Sequence, residues 1–206
     1  ALAKAYAGEK AYYAARAAAL ALAESRHGKA FETIAKGMDR PSHAEVIARG
    51  ACTALANLRD ERGIQVLQER TETGRPELLR LTAAWALGKL GSFHEKRRDD
   101  ILEHLARLLR DPNYRARRGA VLGLRDLAYK KAIDELEKAS AGELNGLLRS
   151  TMRATIQRIR DAYAEGAKKL EQQEELDKLR DDNKDLKQRL ANLESKVEAL
   201  TKRRRR

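Results

Sequence analysis

The sequence predicts an all-α fold: an α-solenoid of helix pairs followed by a C-terminal coiled-coil helix. Three observations predict it. First, 42% of the 206 residues are hydrophobic and 36% charged, while aromatics make up only 4% and prolines number three. That balance is too apolar for wholesale disorder and suits helices rich in Ala, Leu, Glu, Lys and Arg. Second, Leu55, Leu87, Leu124 and Ile156 hold like places in the phrases TALANL, WALGKL, LGLRDL and TIQRI, at spacings of 32, 37 and 32 residues. Leu22 lies 33 residues before Leu55 and opens the series. A period in the thirties on helical sequence marks stacked repeats. Third, leucines recur every seven residues near the C-terminus.

In chain order, hydrophobic periodicity predicts helix pairs over about 6–25 and 28–38, 43–58 and 62–72, 77–90 and 95–110, and 113–128 and 130–139. A long helix starts at about residue 143. Pro41, Pro76 and Pro112 all fall at boundaries, where the missing N–H does no harm. Ser42 with Glu45 three residues on reads as a capping box. Pro76 suits the first turn of the next helix. Asp111 and Pro112 mark a turn between helices. The predicted organisation is a solenoid of about five helix pairs over 1–163, a long helix over 164–201 and a basic tail over 202–206.

The stretch DPNYRARRGAVLGLRDL, residues 111–127, resembles HEAT repeats. It has the Asp-Pro, an arginine a few residues into the helix, then small residues and Leu-x-x-Leu. Arg117 stands seven residues before Leu124, and Arg80 seven before Leu87. Ala116 replaces the usual valine. The resemblance implies that Ala83, Ala84, Gly119 and Ala120 let neighbouring helices approach while the leucines fill the seam. It also implies that Arg80 pairs with an aspartate of the next repeat. A narrower resemblance covers 42–91 and rests on LRDER at 58–62 and ERTETGRP at 69–76. This segment is similar to the helical C-terminal region of bacterial aminopeptidase N-like zinc metallopeptidases, and the charged helix over 170–200 fits. The resemblance implies a noncatalytic scaffold behind a catalytic domain that this chain lacks. Zinc is then expected only in that missing domain, with no cofactor here.

The residues themselves offer no catalytic set. A zinc helix of that family needs His-Glu-x-x-His, with two ligands on one face and a glutamate to activate water. This chain has His94, Glu95, Lys96, Arg97 and Arg98, so arginine stands where the second ligand belongs. His27, His43 and His104 stand alone; His104, in DDILEHLARLLRD, is expected to be partly exposed or capping. Gly-x-Ser-x-Gly and phosphate-loop patterns are missing. The neighbours Asp99 and Asp100 point apart, as do Asp181 and Asp182. Cys52 is the one cysteine and reads as a small core residue. An unpaired cysteine suits a reducing, cytoplasmic setting. The most apolar run, AARAAALALA at 14–23, is short and interrupted by Arg16, so no membrane span is expected. The opening ALAKAYAGEK lacks methionine, as expected of a processed or excised chain. Trp85 reads as core or inter-repeat packing, with base stacking as the alternative.

Charge leaves two readings open. The net charge is +12; residues 1–164 carry 30 basic and 21 acidic side chains (+9), and 165–206 carry 13 and 10 (+3). Arg115, Arg117 and Arg118, with Arg107, Arg110 and Arg125 nearby, could contact an anion or nucleic acid on a concave face. They could equally form a structural ladder between repeats. The KRRRR tail, 202–206, suits an anionic partner or a solvated helix end.

The clearest interaction signal is the zipper. Leu179, Leu186, Leu193 and Leu200 take d positions, and Leu176, Asn183, Leu190 and Val197 take a positions. Asn183 is the polar a residue that favours two strands in register. In a parallel homodimer Glu175 would face Arg180, Asp182 would face Lys187 and Arg189 would face Glu194, each opposite in sign. A protein partner, most simply a second copy, is therefore expected there. A helix folded back on the solenoid is the alternative. Nucleic-acid binding and a free-standing adaptor role are the rival functions.

Overall fold

Ten α-helices carry the computed structural model, which describes the backbone of residues 2–204 and the side chains of 2–190 and Leu193. They are α1 (Leu2–Gly8), α2 (Tyr12–Glu24), α3 (Ala30–Gly37), α4 (Val46–Leu58), α5 (Gly63–Arg70), α6 (Glu77–Gly91), α7 (Arg98–Leu108), α8 (Tyr114–Leu127), α9 (Ala132–Gly142) and α10 (Gly146–Arg204). Single 3-10 turns precede α4 and α7. The described residues contain no strand. The chain divides into two compact units, residues 1–160 and 161–206.

Local chemistry sets the helix ends. The helix expected over 6–25 is two helices: after Gly8, the Glu9 carboxylate accepts the Ala11 backbone N–H at 2.9 Å, which turns the chain before α2. The capping box expected at Ser42 and Glu45 does not form. Ala44 and Glu45 both adopt left-handed backbone, with φ of 48° and 51°, and the Ser42 hydroxyl instead accepts the Ile47 N–H at 3.1 Å. The start of α8 is capped by Asn113, whose side-chain oxygen accepts from the Arg115 and Ala116 N–H groups at 2.8 and 3.2 Å. Asn145 does the same for α10, accepting from Leu148 N–H at 2.9 Å.

In the first unit, α2, α4, α6 and α8 lie side by side as one layer, and α3, α5 and α7 form a second. Each second-layer helix packs chiefly on the long helix that follows it, so the pairs in space are shifted by one helix from those expected. Small residues close the first layer. A Cβ at Gly88 would run into the Gly123 backbone carbonyl, and one at Gly119 would come within 2.6 Å of the Leu81 carbonyl oxygen. The long helices thus meet backbone to backbone within their layer.

The register residues form the seam: Leu55, Leu87 and Leu124 are fully buried, and Leu22 and Ile156 are 5% and 7% exposed. Burial of each such side chain is worth about 1.5–3 kcal/mol. Cys52 lies in this core, and burial pushes its thiol up to about 12. The second unit is the continuation of α10 through residue 204. No helix among the described residues is long and apolar enough to cross a membrane.

Candidate functional site

Several charged groups of the HEAT-like unit tie one repeat to the next. Arg80 on α6 is only 4% exposed. Its Nε donates to the Thr71 carbonyl at 2.7 Å, one terminal nitrogen donates to Asp111 Oδ1 at 3.2 Å, and the other to Asp111 Oδ2. Burial would raise the Asp111 pKa, but the hydrogen bonds from Arg80 and from the Asn113 backbone outweigh it and hold it below the usual carboxylate value. The Arg80 role expected from the sequence, pairing with an aspartate of the next repeat, is the one the fold gives it.

Beside this pair, Thr71 donates its hydroxyl to the Gln68 carbonyl at 2.7 Å and lies 2.7 Å from His104 Nε2. Arg107 reaches the other ring nitrogen at 2.8 Å. That arrangement makes Nε2 the donor and Nδ1 the acceptor of a neutral ring. Burial, with Arg107 adding to it, pushes the His104 pKa down to about 4.

One repeat further, Arg117 extends the ladder. It grips the Glu143 carboxylate at 2.8 and 3.2 Å and donates to the carbonyls of Asp111 and Pro112 at 2.9 and 3.0 Å. Arg117 is therefore committed to the fold. Arg115 pairs with Glu77 at 3.3 Å. Arg118 is exposed, and among the described residues no acid lies within ion-pair distance of it. The three arginines marked in the sequence do not converge as one set of free donors.

Side-chain rungs also join successive long helices. Arg49 donates to the Thr82 hydroxyl at 3.2 Å and Lys89 to the Asn57 side-chain oxygen at 2.8 Å. The half-buried Trp85 donates its indole N–H to Asp126 at 2.7 Å. Trp85 is thus an inter-repeat packing residue with a polar anchor. Its partner, 41 residues away, is not marked by anything local in the sequence. At the C-terminal ends of α2, α4 and α6 lies a cleft of about 290 Å3 ringed by Arg26, Arg59, Lys89 and Phe93.

Among the described residues, no three His, Cys, Asp or Glu side chains come together as metal ligands would. His94 Nε2 donates to the Arg59 carbonyl at 3.0 Å, which ties a loop rather than aiming into a ligand sphere.

The second unit contrasts sharply. Leu176, Leu179, Leu186, Leu190 and Leu193 are 51–63% exposed, and Asn183 is exposed among them. The side chains of Val197 and Leu200, the last two predicted seam positions, and the basic tail lie outside the described residues. Arg180 pairs with Asp177 at 3.2 Å and Arg189 with Asp185 at 2.9 Å, both within the same helix.

Comparison with known proteins gives the family. The model described as "HEAT repeats" matches residues 1–88 and 75–157. A solved structure, the complex of CpcE and CpcF of phycocyanin lyase from Nostoc sp. PCC7120, matches with a TM-score of 0.63 and 21% identity over 75% of this chain and 95% of that one. At that identity the likeness is one of fold. No curated protein matches the chain. With the repeat register, the glycine contacts between long helices and the family match in agreement, the chain belongs to the HEAT-repeat family.

Proposed function

We propose that this chain is a noncatalytic protein-interaction module that self-associates through its C-terminal helix. The observation that carries the reading is the row of half-exposed to mostly exposed leucines at heptad spacing, from Leu176 to Leu193. A lone helix has no way to cover such a row, and a second copy covers it in register. Charge supports the choice of a second copy: Glu175, Asp182 and Arg189 would meet Arg180, Lys187 and Glu194 of the other chain. Each pair contributes about 0.2–1 kcal/mol, enough together to favour a parallel arrangement. The HEAT unit adds a broad surface for another protein. That the HEAT proteins CpcE and CpcF form a complex with one another supports this use of the scaffold.

The aminopeptidase parentage rests on the resemblance of 42–91 alone, and the proposal does not depend on it. The nucleic-acid alternative draws little support from Arg117, which is tied to Glu143.

Sedimentation equilibrium of the full chain tests the proposal. The expected mass is twice the 23.2 kDa of one chain, falling to that of one chain in Leu186→Asp. Asn183→Val should tighten association and loosen its register. A single-chain mass at every concentration, or a dimer indifferent to Leu186→Asp, would overturn the proposal.

A further inference from the structure

The geometry points to a carboxylate-binding cleft on the HEAT unit that takes an acidic segment of a partner protein. Arg26 and Arg59 each stand four residues after a register leucine, Leu22 and Leu55. They occupy the same place in consecutive repeats and reach one cleft of about 290 Å3, together with Lys89. Both adopt left-handed backbone, with φ of 48° and 60°. So does Ala128, four residues after Leu124, so the fold sets this conformation whatever the side chain. Glycine or asparagine suits such a place better. Helix termination therefore does not call for the arginines, and their common direction into one cleft gives them a use.

Aromatic rings and an amide position two of these cations, Arg59 beside Phe93 and Lys89 beside Trp85 and Asn57, without an ion pair among the described residues. The Arg59 guanidinium lies 4.0 Å from the centre of the Phe93 ring, which fixes its plane and leaves its N–H edges to bind. Lys89 gives one hydrogen bond to Asn57 at 2.8 Å and keeps two donors. Among the described residues no carboxylate lies within ion-pair distance of Arg26, Arg59 or Lys89, whereas Arg62, Arg80, Arg97 and Arg117 all hold one. Glu24 also lines the cleft. Three cations against this single acid leave a positive site.

A planar guanidinium on an aromatic floor matches a carboxylate, which it can hold in a bidentate grip. The aromatic rim at Phe93, 43% exposed, suits an apolar residue next to the acid in the same segment. A nucleic-acid backbone would need a long stripe of free cations, but Arg62 and Arg97, further along the unit, are paired with acids. This inference rests on reading the HEAT unit as an interaction module and is independent of pairing through the C-terminal helix.

Fluorescence anisotropy with a labelled peptide of alternating Glu and Leu tests it, beside a Gln-Leu counterpart, using the full chain and Leu186→Asp. The Glu-Leu peptide should bind saturably and more weakly as salt rises, with the same affinity in Leu186→Asp. Arg26→Gln and Arg59→Gln should each weaken it about tenfold or more, with unchanged circular dichroism. The Gln-Leu peptide should not bind. Absence of saturable binding, salt-independent binding by the unsubstituted chain, equal binding of both peptides, or indifference to both arginine changes would overturn the inference. So would a single-stranded oligonucleotide that displaces the peptide at lower concentration. A monomeric chain that still binds the peptide would sink self-association and leave the cleft standing.

Discussion

The two units of this chain treat the same residue types in opposite ways. In the HEAT unit the register leucines are hidden: Leu55, Leu87 and Leu124 have no exposure. Its key arginines reach across repeats, as Arg80 does to Asp111, 31 residues away. In the C-terminal helix leucine is displayed, and arginine pairs one turn along its own helix. Exposed pairs of that kind are worth only a few tenths of a kcal/mol and cannot hold a tertiary structure. The HEAT unit thus buries its register leucines within one chain, whereas the helix leaves a row of leucines half to mostly exposed. Stability in the first should depend on buried contacts and in the second on protein concentration.

The strongest way to break the contrast is at Arg80. Arg80→Ala leaves Asp111 without its buried partner and the Thr71 carbonyl without its donor. Breaking such a pair costs about 3–5 kcal/mol. Urea unfolding, followed by the emission of the sole tryptophan, Trp85, should show that loss. Self-association measured in the absence of denaturant should persist. A loss under about 1 kcal/mol would mean that Arg80 is not the keystone its burial implies.

Next in size is Gly88→Ala. The new Cβ meets a backbone carbonyl, at Gly123, which cannot rotate away as a side chain would. Forcing α6 and α8 apart should cost about 1–3 kcal/mol, read in the same unfolding curve. Gly166, in the second unit, gives the control: a Cβ there meets nothing within 4 Å, so Gly166→Ala should not destabilise the helix and should raise its helicity.

Part of this contrast was legible in the sequence, for definite reasons. The register leucines announce themselves because burial in every repeat forces the same residue at the same place. Arg80 is visible because its spacing to Leu87 repeats at Arg117 and Leu124. The heptad leucines are visible because they keep a strict seven-residue period along one helix. Other features depend on the folded chain. Glu143, the partner of Arg117, sits in a loop whose sequence does not distinguish it from other exposed acids. The break between α1 and α2 is set by one hydrogen bond from Ala11 to Glu9, in a run of small residues that looks continuously helical. The cleft at Arg26 and Arg59 needs two helix ends brought side by side, and neither arginine stands out within its own repeat.

A smaller effect should appear with pH. The Arg117 hydrogen bonds hold the Glu143 carboxyl below its ordinary value of 4.5, against the opposing pull of burial. The folded state therefore binds this proton less readily than the unfolded chain. The stabilisation is complete above 4.5 and is lost as pH falls through the lower folded-state value. Glu143→Gln should be less stable than the parent chain at neutral pH, and the gap should close as the medium becomes acidic. A gap that stays constant with pH would show that packing, not charge, makes Glu143 matter.

The finest test lies at Trp85. Trp85→Phe keeps an aromatic ring at this place but removes the N–H that Asp126 accepts at 2.7 Å, together with part of the half-buried indole. Asp126 keeps Arg125, 2.8 Å away, so its charge is not orphaned. The loss should be about 0.5–1.5 kcal/mol, below that at Arg80 because neither partner is left buried and unpaired. Since this change removes the emission signal, far-ultraviolet circular dichroism must follow the unfolding. Self-association should again be untouched, because the rung joins repeats inside one chain. A comparable loss in both measurements would mean that the two units do not keep their interactions apart, and the contrast between them would fail at its smallest rung.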